Sequence, residues 1–440
     1  MGTVSAAPAP NRWLIALMGT LLQVCLGTVY AWSFFQNPLK DTYHWTNAQV
    51  AWVFSTAICF LGLAAAWGGI NLAKYGPRKL AMAGGILFGA GYLLGALALR
   101  LESLPLLYLG YGVIGGVGLG LGYVTPVATA AKWFPDKKGL VTGMVVMGFG
   151  FGALLMSKIL APTLVQWTGG NYVTVFAALG VFFLAVTLPV ASLLRNPPPG
   201  YVPRGYVPPA ASGGATSAAG EDGLTAGRCL ASGRFAMMWL VFFCNITAGI
   251  AIIGFQSPLM QDLWKKIDPA LPADVLAAYG ATLIAASSLF NGAGRFFWGG
   301  LSDRLGRVQT FRLMLASQIV VFGLLIVTGN PWLFGAMICY VLLCYGGGFG
   351  TMPSFVLDVY GPRLMAVVYG VILTAWSAAG IVGPQLAALA KDVYQNDTEK
   401  AAVCAFLIGA SFLAVGLVLS FFLSNKRFAP APKPSATHLT

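Results

Sequence analysis

The chain has 440 residues and 39 charged side chains, 26 Lys+Arg and 13 Asp+Glu, which is 9% of the sequence. A soluble domain carries about 25%, and a soluble surface of this size could not be covered with so few charges, so the composition excludes a set of soluble domains. With apolar residues at 58% and a formal net charge of +13, the chain reads as an integral membrane protein.

A helix needs about 20 apolar residues to cross the hydrocarbon core, and a barrel strand about 10 alternating ones. The apolar runs here are long and continuous, so helices are expected. In chain order they fall at 13–35, 48–72, 80–99, 105–131, 140–165 and 172–194, then 235–258, 277–299, 309–328, 332–356, 366–390 and 401–424. The stretch before Trp13 is short and rich in Ala and Pro, unlike a cleaved signal peptide. Between the sixth and seventh runs lie Pro197, Pro198, Pro199, Gly200, Pro203, Pro208 and Pro209, followed by Ala, Ser and Gly. That composition cannot bury a core. The expected organisation is a six-helix bundle at 1–194, a linker at 195–233, a second six-helix bundle at 234–428 and a disordered tail at 429–440.

Lys and Arg set the orientation. Eighteen of them fall on the side that holds both termini and the linker, and six on the other, which places both termini in the cytoplasm. Subtracting the acids leaves that face at +13, the other at −2 and the spans at +2. The basic pI therefore reports topology rather than affinity for nucleic acid. The seven cysteines show no CxxC spacing and the two histidines lie far apart, so neither a metal nor another cofactor is expected.

The two halves repeat a loop after their second span. One copy is Gly299-Gly300-Leu301-Ser302-Asp303-Arg304-Leu305-Gly306-Arg307; the other, 230 residues earlier, runs from Gly69 through Lys74 and Gly76 to Arg78 and Lys79. Gly allows a tight turn. Asp303 can accept from N–H groups of a neighbouring helix, and Arg304, Arg307, Lys74 and Arg78 can bridge helices across that face. Such contacts would form in one conformation and break in another. Gly143 to Gly152 in span five repeats as Gly370 to Gly380 in span eleven.

Two cations lie inside spans, Lys158 and Arg295, with no Asp or Glu there. A central charge costs about 2.5–3.5 kcal/mol on insertion scales. Arg295 sits eight residues before Asp303. It is either a snorkelling or backbone-bonded Arg, or an anion anchor whose guanidinium matches a carboxylate with two parallel hydrogen bonds. Asn291 lies one turn earlier on the same face, as an interhelical contact or a substrate ligand. Lys158 either snorkels to the outer interface or serves as a second cation. Tyrosines within spans offer hydroxyls and other aromatics offer apolar walls, but plain packing is the alternative for each. The glycines of spans four, five and eleven permit close helix approach, with or without bending.

The G-x-x-x-D-R-x-G-R pattern in a six-plus-six layout resembles the major facilitator superfamily, across essentially the whole chain. The resemblance implies an all-α membrane protein of twelve transmembrane helices, with the halves related by a pseudo-two-fold axis. In the N-terminal copy Ala73 stands where the family has its acid, so the gate contact there is expected to be weak. Gly27-Thr28-Val29-Tyr30-Ala31-Trp32-Ser33, Lys132-Trp133-Phe134-Pro135-Asp136-Lys137-Lys138-Gly139-Leu140, Asn291-Gly292-Ala293-Gly294-Arg295 and Asn196-Pro197-Pro198-Pro199-Gly200-Tyr201 are similar to the oxalate/formate antiporter and monocarboxylate transporter branch.

That narrower resemblance implies Arg295 as the binding Arg, Asn291 beside it, and Tyr30, Tyr123, Phe149, Tyr345, Phe349 and Trp376 around the cavity. Animal monocarboxylate transporters have a titratable Asp at the position of Asn291. The oxalate exchanger has a Lys in span eleven where alignment on Tyr369-Gly370 puts Trp376, which argues for a monocarboxylate over a dicarboxylate. The expected function is a secondary transporter of small, lactate- or pyruvate-like monocarboxylates in the bacterial cytoplasmic membrane. It is expected to work as a monomer, coupled to protons, by alternating access. Carboxylate exchange of the oxalate/formate type, with Lys158 as second cation, is the alternative. A membrane enzyme would need acids, His or a nucleophile clustered at the interface, and the sequence shows none.

Overall fold

Helix starts are written in short polar side chains. The structure, a computed structural model, describes residues 11–198, 201–203 and 225–428. The second span opens on a capping box: Gln49 N–H donates to Thr46 Oγ1 at 3.1 Å, and Thr46 N–H donates to Gln49 Oε1 at 2.9 Å. Asn171, Ser232, Asn330 and Asp397 cap the sixth, seventh, tenth and twelfth spans more simply, their side-chain oxygens accepting from first-turn N–H groups. The ends facing the basic loops close on glycine. Gly76, Gly306 and Gly361 have φ of 75°, 85° and 78°, and their N–H groups return to the carbonyls of Leu72, Ser302 and Leu357. A side chain would be strained at such φ values, which explains why the loop repeat keeps Gly76 and Gly306 in register.

The twelve spans run Arg12–Ala31, Asn47–Tyr75, Pro77–Arg100, Leu104–Trp133, Gly143–Trp167 and Tyr172–Ser192, then Gly233–Ile267, Ala273–Leu305, Arg307–Val327, Pro331–Tyr360, Val367–Val393 and Thr398–Ser420. All twelve expected helices are present, and the described residues contain no strand. Several run past their apolar cores. The seventh runs about two and a half turns beyond its expected end and the eighth one to two turns, because polar residues continue a helix once outside the lipid. A separate helix, Ser33–Tyr43, follows the first span through a 3-10 turn at Thr28–Ala31. The linker and tail expected at 195–233 and 429–440 lie largely outside the described residues.

Span five packs on spans one and eight, and span eleven packs on spans seven and two. This is one packing scheme used twice, as the glycine repeat predicts. The outward surface is apolar, with Val327 77% and Trp332 70% exposed, as expected of side chains that meet lipid. For this chain the bilayer is a partner in the fold.

Close backbone approach between spans one and five places the site. A Cβ on Gly152 would lie 2.3 Å from the carbonyl carbon of Gly27. Replacing Gly152 by Ala therefore forces two helices apart, and a cost of about 2 kcal/mol is expected. The measurement is thermal unfolding in detergent beside Gly323→Ala, whose Cβ would meet nothing within 4 Å. Gly152→Ala should lower the transition by several degrees, and Gly323→Ala should leave it level or raise it.

Candidate functional site

Six aromatic rings meet at the centre of the molecule, three from each half. Tyr30 leaves the 3-10 turn of span one, Tyr123 span four and Phe149 span five; Tyr345 and Phe349 lie one turn apart on span ten, and Trp376 on span eleven. Each is at most 2% exposed. Phe149 stands edge-on to Tyr30 and to Tyr123, with centroids at 5.1 Å in both pairs. Trp376 contacts Phe349 at 4.7 Å and Tyr123 at 5.3 Å. Tyr30 and Tyr345 share a hydrogen bond of 2.8 Å that crosses between the halves. The family resemblance implies these rings around a cavity; in the structure they are in mutual contact.

Span eight supplies the charge. Its backbone lies tight against span ten: a Cβ on Gly350 would sit 2.3 Å from the carbonyl oxygen of Arg295, and one on Gly346 2.0 Å from that of Asn291. The approach carries the Arg295 guanidinium over the Phe349 ring, with Cζ 5.2 Å from the centroid. Such stacking suits the planar guanidinium and leaves its edge free. Arg295 is 4% exposed, yet Nε, Nη1 and Nη2 all lack a hydrogen-bond partner. Tyr30, Tyr345 and Tyr369 lie within range of its charge. Asp303, the next acid along the helix, is eight residues away, about 12 Å at the helical rise.

Its neighbours are also poorly satisfied. The Tyr123 hydroxyl, the Trp376 indole N–H and Asn291 Oδ1 are buried and make no hydrogen bond of good geometry, although Tyr369 stands beside the first and Tyr345 beside the second. The inventory is donor-rich: a guanidinium, an indole N–H and a phenol, against one amide oxygen. A buried orphan donor costs about 1–3 kcal/mol, and an anion with several acceptor lone pairs would satisfy the set together. A small cavity of about 10 Å³ adjoins the site, bounded by Tyr30, Gly150, Gln256, Ser287 and Asn291 among others.

The remaining sequence candidates lie elsewhere. Lys158 is on a π-helical turn, Met156–Leu160, and is exposed. Its Nζ donates to Thr282 Oγ1 at 2.6 Å on span eight of the other half, away from the rings. Arg307 pairs with Asp303 at 2.7 Å and with Asp358 of span ten at 2.9 Å, and also donates to Ser302. These contacts all stay within the C-terminal half. Asp303 was expected to accept from the amides of a neighbouring helix, and it pairs with Arg307 instead. Arg304, Lys74 and Arg78 are exposed, with the Lys74 ammonium over the Tyr75 ring at 5.2 Å.

Residues 16–384 match the Major Facilitator Superfamily model. The chain belongs to that superfamily. A major facilitator protein moves a solute across a membrane rather than transforming it, so the chain is a transporter rather than an enzyme. The chain is 27% identical to the oxalate:formate antiporter of Oxalobacter formigenes, over 96% of this chain and 94% of that one. It is 26% identical to apicoplast pyruvate carrier 1 of Toxoplasma gondii, covering 86% of this chain and 84% of the relative. With human monocarboxylate transporter 11 it shares 26% identity over 86% of this chain and 77% of the relative. Among solved structures, a bacterial homolog of the human lysosomal transporter Spinster, in an inward-facing conformation, superposes with a TM-score of 0.69. That match has 17% identity and covers 97% of this chain and 100% of the other; it supports the fold.

Two site residues escape the sequence reading. Tyr369, seven residues before Trp376 and on the other side of a break at Leu373, comes within electrostatic range of Tyr123 and Arg295. Gln256, 2% exposed on span seven, borders the small cavity. It sits in an apolar run, and nothing in the sequence tells which way it points.

Proposed function

We propose that the chain is a secondary transporter of small monocarboxylates, with Arg295 holding the carboxylate. The observation that carries this reading is a guanidinium buried at the centre with three unpartnered nitrogens and no acid beside it. The relatives named for oxalate, formate, pyruvate and monocarboxylates support it. Asn291 and the tyrosines orient the anion, and Phe149, Phe349 and Trp376 contact its short apolar tail. Trp376 fills space a second carboxylate would need, which favours a single one.

The basic face is the cytoplasmic one, by the Lys and Arg excess of its loops. Alternating access is a rocking of the two halves about this site. Tyr30 and Tyr345 part to admit substrate and meet again behind it. Arg307 with Asp303 and Asp358 braces the cytoplasmic end of the second half, while Arg304, Lys74 and Arg78 are free to form contacts in the other state. Binding neutralises the central charge and so lowers the barrier to closure. Protons travel with the substrate through the Arg295 site, since Asn291 cannot titrate. That substitution equally favours a second reading, exchange of one carboxylate for another.

Counterflow in proteoliposomes with lactate, pyruvate, acetate, formate and oxalate tests the proposal. Monocarboxylates should drive counterflow, and oxalate should compete weakly. Uptake that responds to an imposed pH gradient marks symport; uptake that depends only on internal carboxylate marks exchange. Transport of none of these acids overturns the assignment.

A further inference from the structure

Two buried amides occupy matching places in the two halves. Gln23 lies on span one and Asn245 on span seven, and both are fully buried. They stand 222 positions apart, the same offset that separates Tyr123 from Tyr345. Gln23 Nε2 donates to the Tyr123 carbonyl of span four at 3.1 Å, while its Oε1 makes no hydrogen bond. Asn245 Nδ2 donates to the carbonyl of Cys344, the residue before Tyr345 on span ten, at a longer 3.5 Å. Asn245 Oδ1 accepts from Gln318 Nε2 at 2.9 Å, which fixes the amide with its NH₂ toward span ten. The backbones are close there. A Cβ on Gly348 would sit 2.5 Å from Asn245 Nδ2, and one on Gly249, a turn after Asn245, 2.5 Å from the Tyr345 ring. Packing alone does not call for an amide at position 23. An orphan amide oxygen is costly in an apolar interior, and an apolar side chain of similar size would fill the space without it.

We infer that Gln23 and Asn245 are positioning residues: each pins a helix backbone at a site tyrosine, Gln23 at Tyr123 and Asn245 at Tyr345. This rests on the reading above that these tyrosines orient the transported anion. Lipid tails give packed spans no hydrophobic reason to keep one register, so a bond from side chain to main chain sets it. A tyrosine hydroxyl stands at the end of a long, stiff side chain. A small rotation of span four therefore swings it further than it moves the backbone. The Tyr123 ring is held by Phe149 and Trp376, with centroids at 5.1 and 5.3 Å, and its hydroxyl makes no hydrogen bond of good geometry. The Gln23 bond is thus the polar contact that fixes Tyr123. Gln23 also lies seven residues before Tyr30 on span one, so one bond sets both tyrosines of the N-terminal half on a common frame. Tyr345 is held more firmly, since its hydroxyl bonds Tyr30 at 2.8 Å and the Asn245 contact is the longer one. The larger effect accordingly falls to Gln23.

The test is a double-mutant cycle on the full-length protein in proteoliposomes, read as kcat/KM for labelled lactate and pyruvate. Gln23→Met keeps the length and flexibility of the side chain and removes the donor. Alone it should lower kcat/KM about fivefold, mostly through KM, with the thermal transition level or raised because the orphan oxygen is gone. Tyr123→Phe alone should lower it about tenfold. In the Tyr123→Phe background Gln23→Met should cost less than about twofold more, since there is no hydroxyl left to position. Gln23→Leu supplies the reading if Gln23→Met fails to reach the membrane. Asn245→Leu with Tyr345→Phe repeats the cycle in the other half, with a smaller single effect, and each cycle decides its own residue. Uptake unchanged in Gln23→Met overturns the inference. Losses that multiply in the double variant show that Gln23 acts on the protein at large; the inference falls and Tyr123 stays as a contact of the anion. If Tyr123→Phe leaves uptake unchanged, its role in orienting the anion falls and the inference falls with it. If wild type carries neither acid, the proposed function falls as well.

Discussion

Arg295→Gln is expected to lower monocarboxylate uptake about 100-fold, from the loss of two charge-assisted hydrogen bonds worth together about 3 kcal/mol. Glutamine keeps much of the length and the donor NH₂ but loses the charge and the fork. Arg295→Lys keeps the charge and loses the fork, so a smaller fall of about tenfold is expected. The same change should raise the thermal stability of the substrate-free protein. Arg295 is buried with no acid beside it and no partner on its three nitrogens, and an uncompensated cation in a membrane interior costs about 2.5–3.5 kcal/mol on insertion scales. Glutamine removes most of that cost. A residue kept for packing would behave oppositely: its replacement would destabilise the protein and spare transport. The paired measurement, uptake and unfolding temperature on one preparation, separates the two, and uptake unchanged in Arg295→Gln would remove the anchor from the mechanism.

The spans were legible because lipid imposes a strict rule. A segment that crosses hydrocarbon must satisfy its own backbone and be apolar throughout, so hydropathy reports it almost directly. Arg295 was legible for the converse reason, since a charge inside such a segment stands out against its surroundings. The assembly of Tyr30, Tyr123, Phe149, Tyr345, Phe349 and Trp376 around it was not readable from periodicity, which treats a buried ring as packing wherever it lies. Only the family resemblance singled those six out. Lys158 shows the limit of reading charge alone: it stands out in the sequence as clearly as Arg295 does, yet the π-helical turn at Met156–Leu160 carries it to an exposed position against Thr282. Gln256 and the contacts between halves were invisible, because an uncharged amide in an apolar run has no direction in sequence. Asp392 is a further case, since its partners lie 345 and 344 positions away in the chain and no local pattern reveals them.

Those partners make Asp392 the strongest polar link between the halves at the face opposite the basic one. Its Oδ1 accepts from the Asn47 backbone N–H at 3.0 Å and from Asn47 Nδ2 at 2.9 Å, and its Oδ2 accepts from the Ala48 N–H at 2.8 Å. The first amides of span two are thus capped by a carboxylate of span eleven, where the helix dipole favours a negative charge. Asn37 and Gln261 add a neutral bond of 3.2 Å across the same end. Opening this face must break the cap and return those donors to water. Asp392→Ala is therefore expected to shift the equilibrium toward the state open there by about 2 kcal/mol, roughly 30-fold. A cysteine at Ser55 reads the shift. Ser55 is fully buried on span two, bonded to Gln385 at 3.3 Å, and lies about 12 Å inward of Asn47 at the helical rise. Labelling of Ser55→Cys by an impermeant maleimide should accelerate at least about tenfold when Asp392→Ala is added. Asp262→Ala is the control, since Asp262 pairs with Lys391 inside one half; it removes an ion pair at the same face and should leave labelling nearly unchanged. If both substitutions accelerate labelling equally, general loosening is the cause and the cap is not a gate. If neither does, the far face is held shut by the apolar packing of spans two and eleven, and Asp392 serves only to begin a helix.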